Sequence, residues 1–143
     1  MTMATLPIAI TQGDPAGIGP EIIAKAFRDA PDVTRGCFVA GDVATLRRAA
    51  KIITGPGQVG LPVAEIRTAS EALEVPPRCI PVLPVLQAPE LVQVGVISAS
   101  AGRMAADCVT WAARAALRGD IAALVTAPLH KEALAAAGVD FPG

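Results

Sequence analysis

The sequence predicts an α/β fold with a largely parallel sheet flanked by helices, and three observations carry that prediction. Short β-prone runs alternate with helix-periodic segments along the chain. The helix candidates are bounded by residues that start and stop helices. The composition, 52% hydrophobic but only 3% aromatic, supplies alanine and aliphatic mass suited to helices packed on a sheet.

Each element has a local reason. Residues 6–11 form an apolar run that ends in a glycine-rich turn, which reads as a first strand. A helix is expected over 21–30, with Ile22, Ile23, Ala26 and Phe27 on one face. Pro20 stands at its first position, where a missing N–H costs nothing. Residues 37–40 read as a second strand, and Asp42 as the N-cap of a helix to about residue 53. The Gly55-Pro56-Gly57 turn closes that helix. Residues 62–67 and 79–83 are candidate strands, but Pro76, Pro77, Pro81, Pro84 and Pro89 interrupt the region. Proline keeps to strand ends, edges and loops, so an irregular, partly extended segment is expected there. A long helix over 100–118 follows, ended by Gly119. Then come a buried strand over 121–126, a turn at Ala127-Pro128, and a last helix over 129–137 stopped by Gly138.

With 143 residues the chain is long enough for one domain with a real core. A net charge of −1 and a single tryptophan, Trp111, with no tyrosine, leave neither a basic footprint nor a stacking platform for nucleic acid. No apolar stretch reaches the roughly 20 residues that a membrane helix needs, so no membrane partner is expected. Residues 1–11 have no basic segment, and Asp14 and Pro15 follow, which is unlike a secretory signal. Cys37, Cys79 and Cys108 are odd in number and widely spaced, so they read as buried thiols of a reducing cytoplasm.

Two stretches could carry chemistry. Gln12-Gly13-Asp14-Pro15-Ala16-Gly17-Ile18-Gly19-Pro20-Glu21 joins a strand to a helix, where open α/β sheets bind their ligands. It is neither GxGxxG nor a P-loop, and two readings stand, a ligand loop or a purely structural tight turn. Val125-Thr126-Ala127-Pro128-Leu129-His130-Lys131 leaves a second strand in the same way. There His130, the only histidine, and Lys131 either face the same crevice or are two solvated residues on a first helical turn. One histidine cannot make a metal site, which needs about three or four protein ligands. No Ser-His-Asp or Cys-His arrangement is supported. Asp107 and Asp120 read as a surface charge and a turn residue rather than an acid/base pair.

Residues 10–21, Ile-Thr-Gln-Gly-Asp-Pro-Ala-Gly-Ile-Gly-Pro-Glu, resemble the opening signature of the 4-hydroxythreonine-4-phosphate dehydrogenases. Residues 124–131 resemble a second block of that family, and Ala137-Gly-Val-Asp-Phe-Pro-Gly143 a third. Residues 83–86 and the helix around Asp107 fall where the family's segments do. Isocitrate- and isopropylmalate-type dehydrogenases carry a shorter Gly-Asp-Gly-Ile-Gly-Pro-Glu version, and the Asp-Pro-Ala insertion before Gly17 favours the first family over these relatives of related fold.

The resemblance implies the amino-terminal part of an isocitrate/isopropylmalate dehydrogenase-like fold, with residues 1–143 belonging to a longer two-domain enzyme. It implies a cytoplasmic homodimer that oxidises 4-phosphohydroxy-L-threonine with NAD or NADP in pyridoxal phosphate biosynthesis. The family uses a divalent metal (Zn, Mg or Co) held by three histidines as a Lewis acid. Gly13, Asp14, Gly17, Ile18 and Gly19 would border the cofactor cleft, and Pro128, His130 and Lys131 the substrate side. The family's third block continues into His-Thr-Glu, and its metal histidines lie further on. The catalytic and metal-binding residues are therefore expected beyond Gly143, and the isolated chain is expected to be inactive with an open hydrophobic face. A paralogue acting on a phosphorylated sugar acid or an aromatic dihydrodiol, and a non-catalytic α/β binding module, are the alternatives.

Overall fold

Five short runs pair into one all-parallel sheet in the computed structural model of the chain, which describes residues 5–86 and 90–140. They are β1 (Ile8–Thr11), β2 (Cys37–Gly41), β3 (Val63–Glu65), β4 (Ile80–Pro84) and β5 (Ala123–Thr126), in the spatial order β3-β4-β2-β1-β5. The helices are α1 (Gly19–Asp29), the single turn α2 (Pro31–Thr34), α3 (Val43–Ile53), α4 (Ala99–Arg118) and α5 (Lys131–Ala136). A 3-10 helix spans Ala69–Glu74. Neither it nor α2 is signalled by periodicity, because each is too short to show one.

Helix boundaries follow side-chain chemistry. The Asp42 carboxylate accepts the Thr45 N–H at 3.1 Å and the Thr45 hydroxyl at 2.7 Å, so α3 starts where the N-cap pattern places it. Ser98 caps α4 in the same way, one residue before the helix begins. Gly119 ends α4 in the left-handed conformation, φ 81°, and returns its N–H to the last helical carbonyls. In α1, Pro20 lies in the first turn, and the helix begins at Gly19, two residues ahead of expectation.

The two faces of the sheet are covered by different connections. Ile23, Ala24 and Phe27 of α1 and Leu46 and Ala49 of α3 pack against Val39, Ile80 and Val82. On the other face Ala112 and Ala115 of α4 and Ala72 of the 3-10 helix pack against Ala9, Phe38 and Ala40. Phe38 meets Trp111 of α4 edge to face, with centroids 6.1 Å apart. Handedness explains the division. The chain moves outward from β1 to β2 and then returns, from β3 to β4 and from β4 across to β5. Right-handed crossovers place outward and returning connections on opposite faces.

Three expectations are corrected. First, β4 is an interior strand despite Pro81 and Pro84, and register explains why. Ile80 donates to the Pro62 carbonyl beside β3, and Val85 donates to Gly41 of β2. The nitrogen of Pro81 therefore faces β2, one residue before the β2–β4 pairing begins at Val39↔Val82. The nitrogen of Pro84 faces β3, beyond the last rung at Glu65↔Val82. Neither proline removes a bond that the ladder uses. Second, β5 is an exposed edge strand rather than a buried one. Among the described residues it pairs with β1 alone, and Val125 keeps 52% of its surface open. The buried residue of that run is Ile121, ahead of the strand. Third, the last helix begins at Lys131, not 129, because His130 holds an extended backbone and serves as its N-cap.

Among the described residues no helix is long and apolar enough to cross a membrane. Phe141, Pro142 and Gly143, the end of the third family-like block, lie outside the described residues, as do Pro89 and residues 1–4.

Candidate functional site

β1 lies between β2 and β5, so the chain leaves its two neighbours' sides in opposite senses. In open parallel sheets that reversal opens the ligand crevice at the carboxyl ends of the strands. The loop after β1 carries Gly13, Asp14, Gly17 and Ile18, with Gly19 opening α1. The loop after β5 carries Pro128 and His130, with Lys131 opening α5. The topology thus brings the two candidate stretches to one place.

They touch at their base. Asp14 donates its N–H to the Pro128 carbonyl at 3.1 Å. Gly13 has φ +73°, and a Cβ there would lie 2.5 Å from the same carbonyl. Asp14, 4% exposed, turns its carboxylate inward to accept the Ala16 N–H at 2.8 Å, and Gly17 donates back to the Asp14 carbonyl. This is an Asx-type turn that holds the loop's shape. Gly13, Asp14 and Gly19 are accordingly buried, Gly17 is half-buried, and Ile18, 66% exposed, is the side chain the loop presents outward. Across from it Pro128, His130 and Lys131 are all exposed. His130 Nδ1 accepts the Ala133 N–H at 3.4 Å, which leaves its Nε2 edge as the outward group.

Three contributors escape sequence reading because their contacts are distant along the chain. The Gln12 side chain is fully buried, and its Oε1 accepts the Asp42 N–H at 2.8 Å, tying the end of β1 to the end of β2. Its Nε2 has no partner, and neither does Thr11 Oγ1 beside it. Arg48 of α3 reaches the glycine loop, donating from Nη2 to the Pro15 carbonyl at 3.1 Å and from Nη1 to Val92. Residues 90–97 run alongside the loop, with Gly95 donating to the Ala16 carbonyl at 2.8 Å. Only the burial-compatible glutamine at a strand end offered a local hint.

Cys108 of α4 is fully enclosed close to Gln12. Burial first, then the charges of Asp107 and Asp42, push its thiol up to about 12, against a weaker pull from the Gln12 backbone. Below pH 9.0, its ordinary value, folded and unfolded chains both carry the thiol. Between there and about 12 the unfolded chain ionises first, so this contribution to stability is lost as pH rises. Urea midpoints of the wild type and Cys108→Ala, compared at pH 7.5 and 10, should converge at the higher pH (both values chosen to bracket roughly the ordinary thiol range). An equal gap at both would sink the assignment.

Among the described residues no group of three or more His, Cys, Asp or Glu side chains comes together to hold a metal ion. A cavity of about 360 Å³, lined by Phe27, Cys37, Leu73, Val75, Arg78 and Cys79 among others, lies at the amino ends of β2 and β4. That is the opposite end of the sheet from both loops, and the strand-end rule gives it no part in the site.

A parallel sheet with helices on both faces and two loops meeting at its switch point defines the doubly wound, ligand-binding class of α/β proteins. The family comparison is more specific: the profile of "Pyridoxal phosphate biosynthetic protein PdxA" matches residues 33–143, and the chain belongs to that family. It is 45% identical over 151 residues to a D-threonate 4-phosphate dehydrogenase of Salmonella typhimurium, covering 99% of this chain and 42% of that protein. It is 42% identical over 143 residues to a 4-hydroxythreonine-4-phosphate dehydrogenase of Beijerinckia indica, covering 100% of this chain and 41% of that one. A crystal structure of a 4-hydroxythreonine-4-phosphate dehydrogenase from Klebsiella pneumoniae superposes with a TM-score of 0.84 at 38% identity, over 97% of this chain and 42% of the other. The fold is therefore isocitrate/isopropylmalate dehydrogenase-like. The chain spans about two fifths of the length of these relatives.

Proposed function

We propose that this chain supplies the cofactor-loop side of an NAD(P)-dependent dehydrogenase acting on a four-carbon hydroxy acid 4-phosphate, with 4-phosphohydroxy-L-threonine as the first candidate. The observation that carries this reading is the meeting of the two loops at the switch point, through Asp14 and Pro128. The glycine loop, with Ile18 as its outward side chain, borders the nucleotide. His130 and Lys131 offer a donor edge and a cation to the phosphorylated acid from the facing loop. NAD(P)+ would supply the hydride acceptor for oxidation of the alcohol to a ketone with loss of the hydroxyl proton, and the resulting β-keto acid would release carbon dioxide and take up a proton at the carbon left behind, giving 3-amino-2-oxopropyl phosphate. The divalent metal and the homodimer rest on the family resemblance. The described residues do not assemble a metal site. A second substrate, D-threonate 4-phosphate, is favoured by the 45% identity to the Salmonella enzyme.

The test compares two proteins, each supplied with NAD+ or NADP+, a divalent metal and either phosphate ester. One is the 143-residue chain. The other joins it to the remaining length of the Salmonella relative. Nucleotide reduction is expected from the joined protein and not from the chain alone. Reduction by the chain alone would refute its inactivity. A folded joined protein inert on both esters would favour the binding-module reading instead.

A further inference from the structure

Among the described residues, Arg48 is the one side chain that bonds both the glycine loop and the segment lying over it. Its two terminal nitrogens are spent on carbonyls from different parts of the chain, Pro15 and Val92. The segment is pinned a second time, three residues on, by Gly95 to Ala16. Consecutive loop carbonyls, those of Pro15 and Ala16, are thus held from outside the loop. No carboxylate pairs with Arg48 among the described residues, so its charge is left uncompensated beside the loop. A guanidinium can hold two acceptors in one plane, which a lysine cannot.

We propose that Arg48 is a positioning residue of the cofactor site, clamping the glycine loop against residues 90–97 in the shape that binds the dinucleotide and lending that loop a fixed positive charge. The inference rests on the cofactor reading of the loop given above. It assigns Arg48 no contact with the reacting atoms.

The test uses the joined protein described above and its variants Arg48→Met and Arg48→Lys, with NAD+ as the titrant and amide exchange at Gly95 followed by NMR. In Arg48→Met, Gly95 should exchange about tenfold faster or more, and NAD+ affinity should fall by about tenfold, the loss of roughly one charged hydrogen bond. Arg48→Lys should retain the salt dependence of binding, whereas Arg48→Met should flatten it. A residue that merely stabilised the fold would lower the melting temperature and leave the affinity of the folded chain unchanged. Unchanged NAD+ affinity in folded Arg48→Met overturns the proposal, whatever happens at Gly95. If Arg48→Met does not fold, wild-type affinity and wild-type Gly95 protection in Arg48→Lys overturn it, because the two-carbonyl clamp is already gone there. If the wild type itself binds no NAD+, the cofactor reading fails, and Gly95 protection alone then decides whether Arg48 shapes the loop.

Discussion

Gly102→Ala should detach α5 from α4. Gly102 is buried within α4, where alanine would ordinarily gain about 0.5–1 kcal/mol of helix stability. Here the added methyl would lie inside hard contact with the Ala133 carbonyl and within 2.8 Å of the Leu134 nitrogen. Both are backbone atoms of α5, so no rotamer can relieve the overlap, and the six-residue helix must move. Overpacking of this kind costs about 1–3 kcal/mol, more than the propensity gain. The expected result is a lower urea midpoint with lost exchange protection at the Leu134 and Val139 amides, which bond within this corner. Because His130 and Lys131 open α5, the same variant should shift their NMR signals. A stabilised variant with α5 still protected would mean that the two helices do not approach at this glycine.

Gly13→Ala should have the second-largest effect, and a matched control separates its two causes. The left-handed backbone at φ +73° costs an alanine about 1–2 kcal/mol. The methyl would in addition sit 2.5 Å from the Pro128 carbonyl, the acceptor for Asp14. Gly57 has nearly the same φ, +75°, but nothing lies within 4 Å of the place its Cβ would take. Gly57→Ala should therefore show the backbone strain alone, and Gly13→Ala the strain plus the collision of the two loops. Equal destabilisation of the two variants, measured by chemical denaturation, would deny that the loops press on each other at Gly13.

What could be read in advance was what neighbouring residues decide. Pro20, Asp42 and Gly119 mark helix ends by chemistry that acts within a few residues, and the elements they bound appear where those marks lie. That the two loops could share one crevice was also accessible, because both leave the carboxyl ends of strands in a parallel sheet and so lie along the same edge. The larger failures are matters of distance. The exposure of β5 depends on what covers Val125, and the run from Ile121 contains no information about that. The tolerance of Pro81 in β4 depends on which rung of β2 stands opposite, some forty residues earlier in the chain. Arg48 reaches carbonyls 33 and 44 residues away, and its neighbours in sequence say only that it lies on a helix. At the site, Gly13 and Gly19 were expected to make room for a ligand. The contacts a Cβ would make there, with Ala127 and Pro128, show them making room for the loop after β5.

The placement of Pro81 and Pro84 also fixes how β4 can be threaded. A slide of one residue in one direction sets Pro81 where Val82 stands and Pro84 where Val85 donates to Gly41. A slide in the other sets Pro81 where Ile80 donates to Pro62 and Pro84 within the β2 pairing. Either misalignment would leave buried carbonyls of β2 and β3 facing ring carbons, at about 1–3 kcal/mol for each acceptor stranded. The two rings act as keys on either side of a lock, admitting the strand in a single alignment.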